Sequence, residues 1–123
     1  MTFKFEKLEI WQLALDYWDL VYEITELLPK AEEYNLKSQM RRAATSIALN
    51  IAEGSTGQSD AEQARFLGMA VRSLYETVAC QHLIRRRDYF QQVELLDQAY
   101  QQSETVARKI QAMRNALGYK KGR

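Results

Sequence analysis

The stretch Glu9–Leu28, which reads EIWQLALDYWDLVYEITELL, decides the fold. Its polar residues recur at steps of three and four, which places them along one line of an α-helix. Nearly every other position is apolar, although a helix that faces a single core needs an apolar arc of only about 100°. We therefore expect this helix to be covered on two sides. The polar line consists of Glu9, Gln12, Asp16, Asp19, Glu23 and Glu26.

The surplus apolar surface of this first helix predicts self-association. A lone bundle would leave part of that surface in water, whereas a second copy of the chain could cover it. We expect the oligomer interface to contain Trp11, Tyr17, Trp18 and Leu20.

The first helix is expected to stop at Pro29, because a proline disfavours helical backbone in the residue before it. Asn35 is a good N-cap for a second helix, and Gly54 is a natural C-terminal stop. The apolar periodicity continues beyond Gly54 through two more segments.

Ser59 and Glu62 have the spacing of a capping box, which predicts the start of a third helix. Asp88 and Gln91 repeat that spacing and predict the start of a fourth. Long helices with short turns favour an all-α, up-down-up-down antiparallel four-helix bundle, here as a single domain over 1–123. The predicted helices are 7–28, 36–53, 60–86 and 89–117, followed by a frayed tail at 118–123.

Composition limits the class of protein. The 123 residues suit one domain, and the single cysteine, Cys80, cannot form an intramolecular disulfide. Charged residues interrupt every window long enough to span a membrane, and no secretory leader is evident. We expect a soluble cytoplasmic protein with no membrane partner.

The sequence contains no recognisable catalytic or metal-binding motif. The one histidine, His82, lacks the Glu-x-x-His pairs of di-iron bundles. His82 and Cys80 lie two residues apart on a predicted helix, so they point in different directions, and no second pair completes a zinc site. The run Gly54–Gly57 has the Gly-x-x-Gly sequence of the loop in KH domains. Because KH domains are mixed α/β folds and this chain has no predicted strands, we interpret the run as a turn. We predict a protein that is not an enzyme and that binds no metal and no cofactor.

Polar residues interrupt the apolar lines of the second and third helices. An ion pair between Arg42 and Glu76 would satisfy charges that are costly inside a protein. We interpret the group as a structural network, with a ligand site as the alternative. An enzymatic role would need a pocket that gathers Arg42, Glu53 and Glu76 around solvent. The predicted network consists of Arg42, Ser46, Asn50, Glu53, Ser73 and Glu76.

Charge is distributed unevenly along a chain whose formal net charge is +1. Residues 1–33 hold three basic and eight acidic residues, a net charge of −5, which leaves +6 for the remainder. Cations at helix C-termini can simply oppose the helix dipole. The alternative is a surface that contacts phosphate groups, strengthened by repetition in an oligomer. The predicted nucleic-acid-binding residues are Arg85, Arg86, Arg87, Arg108, Lys109, Arg114, Lys120 and Lys121.

Three stretches resemble motifs of a known family. Phe5–Ala14 resembles its opening motif, and Ser38–Ile47 followed by Asn50–Gly54 resembles its most diagnostic stretch. A third motif is matched by Arg65–Leu67 with Ala70, Ser73, Leu74 and Glu76. On these residues the chain resembles the bacterial four-helix bundle proteins, also called the 23S ribosomal RNA intervening-sequence protein family. The accessory variability protein of diversity-generating retroelements shares that fold.

The resemblance implies an up-down bundle that assembles into a homopentameric barrel and binds partners through a basic surface. The leading hypothesis is a non-enzymatic, homo-oligomeric accessory protein that binds RNA or DNA. The alternative is a protein-interaction adaptor that docks a reverse transcriptase in a diversity-generating retroelement.

Overall fold

The computed structural model of the chain describes residues 1–57 and 59–118, and four α-helices dominate it. α1 and α3 each pack against both α2 and α4, so α1 and α3 lie diagonally opposite each other. The predicted all-α four-helix bundle is confirmed. The helices are α1 (Glu9–Glu26), α2 (Leu36–Gly54), α3 (Asp60–Arg87) and α4 (Val93–Ala116), with short 3₁₀ turns at Lys4–Lys7 and Lys30–Glu32.

The turn before α3 follows the sequence signal, whereas the turn before α4 does not. The Glu62 backbone N–H donates to Ser59 Oγ at 3.1 Å, as a helix N-cap requires. Asp88, in contrast, adopts a left-handed backbone with φ 55°, and its N–H donates to the Arg85 carbonyl, so it ends α3. The prediction that Asp88 caps a helix from residue 89 is therefore wrong. A short polar side chain tolerates left-handed backbone, which makes Asp88 suitable for ending a helix as well as for starting one.

The core contains one buried face of each helix, and Tyr17 crosses it. The Tyr17 hydroxyl lies 2.7 Å from Thr77 Oγ1 and accepts a hydrogen bond from Gln81 Nε2 at 2.8 Å. Because Thr77 Oγ1 donates to the Leu74 carbonyl at 2.6 Å, the Tyr17 hydroxyl is the donor to Thr77. Burial raises the pKa of Tyr17 to about 12, so the hydroxyl keeps its proton at neutral pH. This chain of hydrogen bonds joins the diagonally opposed helices α1 and α3.

The prediction that Tyr17 and Leu20 belong to an oligomer interface is wrong. Tyr17 is 0% exposed and Leu20 is 6% exposed within the single chain, so neither can contact a second copy. Trp11 packs edge-on against Phe5, with ring centroids 4.7 Å apart. Trp18 Nε1 donates to Thr45 Oγ1 at 3.0 Å, and both indoles remain half-buried. The first 3₁₀ turn and α2 thus cover much of the apolar surface that the sequence assigned to a partner.

Across the described residues, none of the helices combines enough length with enough apolar character to cross a bilayer.

The Tyr17→Phe substitution tests the hydrogen bonds that join α1 and α3. It keeps the ring but leaves the buried Gln81 Nε2 without its acceptor, so the free energy of unfolding should fall by about 1–3 kcal/mol. Urea denaturation followed by circular dichroism measures the change. Tyr34→Phe is the matched control, because Tyr34 is 95% exposed. An unchanged stability of Tyr17→Phe would contradict the role given to the hydroxyl.

Candidate nucleic-acid interface

The predicted basic residues fall into two separate groups. One group, Arg85–Arg87, ends α3, and the other lies in the second half of α4, beside the start of α3. Arg114 Nε donates to the Ala64 carbonyl at 3.2 Å, which fixes that position. At 1.5 Å of rise per residue, about 32 Å of helix separates Ala64 from Arg85. The structure therefore does not bring the two groups into one patch, and the predicted residues Lys120 and Lys121 lie outside the described part of the chain.

We call Arg85, Arg86 and Arg87 the arginine cluster. All three side chains are exposed at the carboxyl end of α3, where cations oppose the helix dipole favourably. Arg85 Nη2 forms an ion pair with Asp97 Oδ1 at 2.5 Å and so ties α3 to α4. Within the described residues Arg86 forms no ion pair, and its guanidinium is available to an external anion.

Glu32 organises the turns beside the arginine cluster. Its carboxylate accepts hydrogen bonds from the Tyr89 hydroxyl, from Asn35 Nδ2 at 2.9 Å and from the Leu36 backbone N–H at 3.3 Å. The connection between α1 and α2 is thereby joined to the connection between α3 and α4. The predicted cap Asn35 makes no side-chain cap of its own, and Glu32 supplies the acceptor at the start of α2.

The hydrogen bonds at Glu32 shift the pKa values of Glu32 and Tyr89 in opposite directions. The Tyr89 hydroxyl is the main cause that holds the pKa of Glu32 below 4.5, with Asn35, Leu36 and nearby Arg87 adding to it. The same bond raises the pKa of Tyr89 above 10.0. Arg87 therefore lies beside a carboxylate that stays ionised, which leaves Arg86 as the least compensated cation of the cluster.

The second basic group has structural partners. Lys109 Nζ lies 3.2 Å from Glu9 Oε1 and joins α4 to α1. Arg114 Nη1 donates to Gln111 Oε1 at 3.1 Å, and its guanidinium lies over Gly68, where an added Cβ would come within 3.0 Å of Nη2. This contact at Gly68 could not be predicted from the sequence, because an isolated glycine in a helix does not indicate which side chain will lie on it. Arg108, the remaining member of this group, is exposed.

A groove of about 890 Å³ lies between α3 and α4 around Arg114. Its floor is apolar, with Ala64, Val71 and Leu117, and Arg65 and Arg72 lie at its edge. Neither Arg65 nor Arg72 was among the predicted binding residues, because on the sequence they stand alone. Glu62 Oε1 accepts from Arg65 Nη2 at 2.5 Å, so Arg65 is partly neutralised.

The predicted polar network forms only in part. Ser73 Oγ donates to Ser46 Oγ at 2.9 Å across the α2–α3 contact, and Asn50 Nδ2 donates to the Ser46 carbonyl at 2.9 Å. The predicted ion pair between Arg42 and Glu76 is absent from the described residues. Arg42 Nη2 donates instead to Gln39 Oε1 at 2.7 Å.

The remaining charged members of that network are solvated. Arg42, Glu53 and Glu76 are all exposed, so the expectation that the polar lines of the second and third helices are at least partly buried is wrong for these three residues. Arg42 and Glu53 line an open groove beside α1 with Ser46 and Asn50, and this groove does not include Glu76. The geometry therefore does not gather Arg42, Glu53 and Glu76 around one pocket.

Cys80 and His82 both lie on α3, within two turns of the arginine cluster. Cys80 is buried, and burial raises the pKa of its thiol to about 11, so the thiol is protonated at neutral pH. His82 is exposed, with its ring edge-on to Tyr100 at a centroid distance of 6.2 Å. In the described part of the chain no three histidine, cysteine or acidic side chains lie close enough to hold a metal ion.

Comparison with known proteins supports the fold and identifies a family. Residues 6–112 match the family described as 23S rRNA-intervening sequence protein. The structure is similar to the 1.70 Å crystal structure of a protein of unknown function from the S23 ribosomal protein family of Bacteroides thetaiotaomicron, with a TM-score of 0.77 and 22% identity. That similarity covers 85% of this chain and 97% of the other. No curated protein matches the sequence.

The Glu32→Gln substitution tests the carboxylate that joins the two turns. The folded pKa of Glu32 is lowered, so its stabilisation is complete above pH 4.5 and is lost as the pH falls through the folded value. Wild type should therefore be more stable than Glu32→Gln at neutral pH, and the difference should vanish in acid. Urea denaturation at a series of pH values measures it. Glu33→Gln, which removes an exposed ion pair with Lys37, should cost roughly 0.5 kcal/mol or less. A Glu32→Gln difference that does not change with pH would contradict the assignment.

Proposed function

Because the chain belongs to the 23S rRNA-intervening sequence protein family, we propose that it is a non-enzymatic, self-associating accessory protein that binds nucleic acid in the cytoplasm. The observation that carries the proposal is the arginine cluster, three consecutive exposed arginines at one end of the bundle. The family description refers to 23S rRNA, which favours structured RNA over DNA as the nucleic acid.

Arginine chemistry supports a phosphate contact at this cluster. A guanidinium presents several N–H donors in a fixed plane that matches two phosphate oxygens. Arg86 makes no ion pair within the described residues, so it loses no existing contact when it meets phosphate. Arg85 is held beside Asp97, and Arg87 is held beside Glu32. These two arginines would position the nucleic-acid backbone on either side of the phosphate that Arg86 contacts.

Self-association strengthens a contact that is weak in one subunit. One exposed arginine with two partly compensated neighbours gives a low affinity, but copies held at fixed spacing on one assembly engage a single nucleic acid together. The homopentamer that the family resemblance implies would present five such clusters, and the overall charge of +1 per chain would matter less than this local concentration. The alternative partner is a protein such as a reverse transcriptase, and a complex with such a protein would survive nuclease treatment.

The Arg86→Glu substitution tests the nucleic-acid contact. Fluorescence anisotropy of a labelled RNA hairpin and its DNA counterpart, titrated between about 50 and about 200 mM salt, should show binding that weakens steeply with salt. Arg86→Glu should weaken binding throughout and reduce the salt slope by about 1 for each engaged subunit. Arg108→Glu makes the same change of charge on α4 and should have a much smaller effect.

Two results would overturn the proposal. Wild-type protein that shows no salt-dependent binding to either hairpin cannot act through phosphate contacts, and a nuclease-resistant protein complex would then favour the adaptor. Equal losses for Arg86→Glu and Arg108→Glu would show that the arginine cluster is not the contact.

A further inference from the structure

Two exposed rings lie beside the arginine cluster. The His82 ring on α3 is edge-on to the Tyr100 ring on α4, with their centroids 6.2 Å apart. His82 is exposed and Tyr100 is 41% exposed, so the bundle covers neither ring completely. Within residues 1–57 and 59–118, neither side chain uses its polar atoms in a hydrogen bond. We call His82 and Tyr100 the ring pair.

The ring pair has a fixed position relative to the cluster. His82 precedes Arg86 by four positions, so the two side chains lie on the same side of α3, about 6 Å apart along its axis. The ion pair between Arg85 and Asp97 links α3 to α4 one turn before Tyr100. Contacts between the two helices therefore hold both rings next to the guanidinium that the proposed function assigns to phosphate.

The acidic side chains nearby favour one orientation for a bound nucleotide. Asp97 is compensated by Arg85, and Asp88 lies with Arg85 around a small cavity of about 100 Å³ that does not include the ring pair. Two exposed acids lie on the other side of the ring pair, towards the middle of the bundle. Glu76 precedes the ring pair by six positions on α3, and Glu104 follows it by four positions on α4. A phosphate is therefore attracted at the cluster and repelled on the far side of the rings.

An unpaired nucleotide matches this arrangement better than a continuous RNA duplex does. In a duplex the bases are stacked on one another, and the deep, narrow major groove does not admit side chains, so a duplex meets only the arginines. An unpaired base exposes its face, which stacks on aromatic side chains, histidine included. Exposed rings beside an arginine thus add affinity for RNA only where a base is free.

We infer that the arginine cluster recognises an unpaired RNA nucleotide, with a phosphate on Arg86 and the base stacked on the ring pair. The inference rests on the proposed function and specifies the kind of RNA, which is a loop, a bulge or a single-stranded end. Salt weakens the phosphate contact for every RNA alike. Stacking does not depend on charge, so the preference for an unpaired nucleotide persists as salt increases.

Two labelled RNAs with the same number of phosphates test the inference: a hairpin with an unpaired loop and a fully paired duplex. Fluorescence anisotropy should show that the wild-type protein binds the hairpin about fivefold or more tightly than the duplex, because stacking of a single base accounts for at least that ratio. The ratio should change little between low and high salt, although both affinities fall.

Substitutions at Tyr100 test the ring itself. Tyr100→Ala should remove most of the preference for the hairpin and leave the affinity for the duplex and the salt slope unchanged. Tyr100→Phe keeps the ring and should keep the preference. Phe3→Ala is the control, because Phe3 is 65% exposed but precedes α1, at the other end of the bundle. Circular dichroism checks that every variant is folded.

The outcomes separate this inference from the proposed function. Equal affinity of the wild-type protein for the hairpin and the duplex overturns the inference but leaves the phosphate contact of Arg86 standing. A preference that survives Tyr100→Ala, or that Phe3→Ala reduces equally, also overturns it, because the ring pair is then not the contact. Binding to neither RNA overturns the inference together with the proposed function. A preference that Tyr100→Ala removes and Tyr100→Phe retains supports it.

Discussion

The hydroxyl of Tyr17 lies where no solvent reaches it, and a buried polar group without a partner is costly. The bundle meets this constraint by placing Thr77 and Gln81 of α3 opposite it, across the core. That requirement restricts both the rotation of α1 about its own axis and the position of α3 along its axis. Once Tyr17 points inward, Asp16 and Asp19, one position before it and two positions after it, point outward. The partner residues likewise turn Tyr75 and Ala79 of α3 towards solvent. The outward surfaces are thus consequences of how the interior is satisfied.

The contacts of the charged side chains show a second regularity: these ion pairs and hydrogen bonds join the ends of helices more than their middles. Glu32 joins two turns, Arg85 joins α3 to Asp97 at the start of α4, and Lys109 joins α4 to Glu9. Each of these contacts is at least partly exposed and contributes modestly to stability. Their main effect is to hold the ends of the bundle in place, so that cations such as Arg86 are presented on a defined backbone.

The helices could be predicted from the sequence because the apolar spacing is regular and Pro29, Gly54 and Ser59 are strong local signals. The basic residues could not be assembled into a site, since their grouping depends on which helix ends meet. Arg85 and Arg114 lie far apart in space because α3 and α4 run in opposite directions. The sequence pattern also predicted burial wrongly in both directions. Tyr17, predicted at an oligomer interface, lies in the core, and Arg42, predicted in a buried polar network, is exposed to solvent. Periodicity identifies the line on which a residue lies but does not identify which of two apolar flanks meets the core.

The contact that joins α1 to α3 also bears on the order in which the fold is completed. Tyr17 precedes Thr77 by 60 positions and Gln81 by 64, whereas most contacts in a bundle of antiparallel neighbours join segments that are close along the chain. The α1–α2 hairpin can form locally during synthesis, but its tyrosine hydroxyl finds no interior partner until the middle of α3 has emerged from the ribosome. The loop closed by this contact is long, and its closure entropy opposes early formation. A nascent chain that has exposed only its first two helices therefore holds a water-bonded tyrosine at the position that later becomes the centre of the molecule.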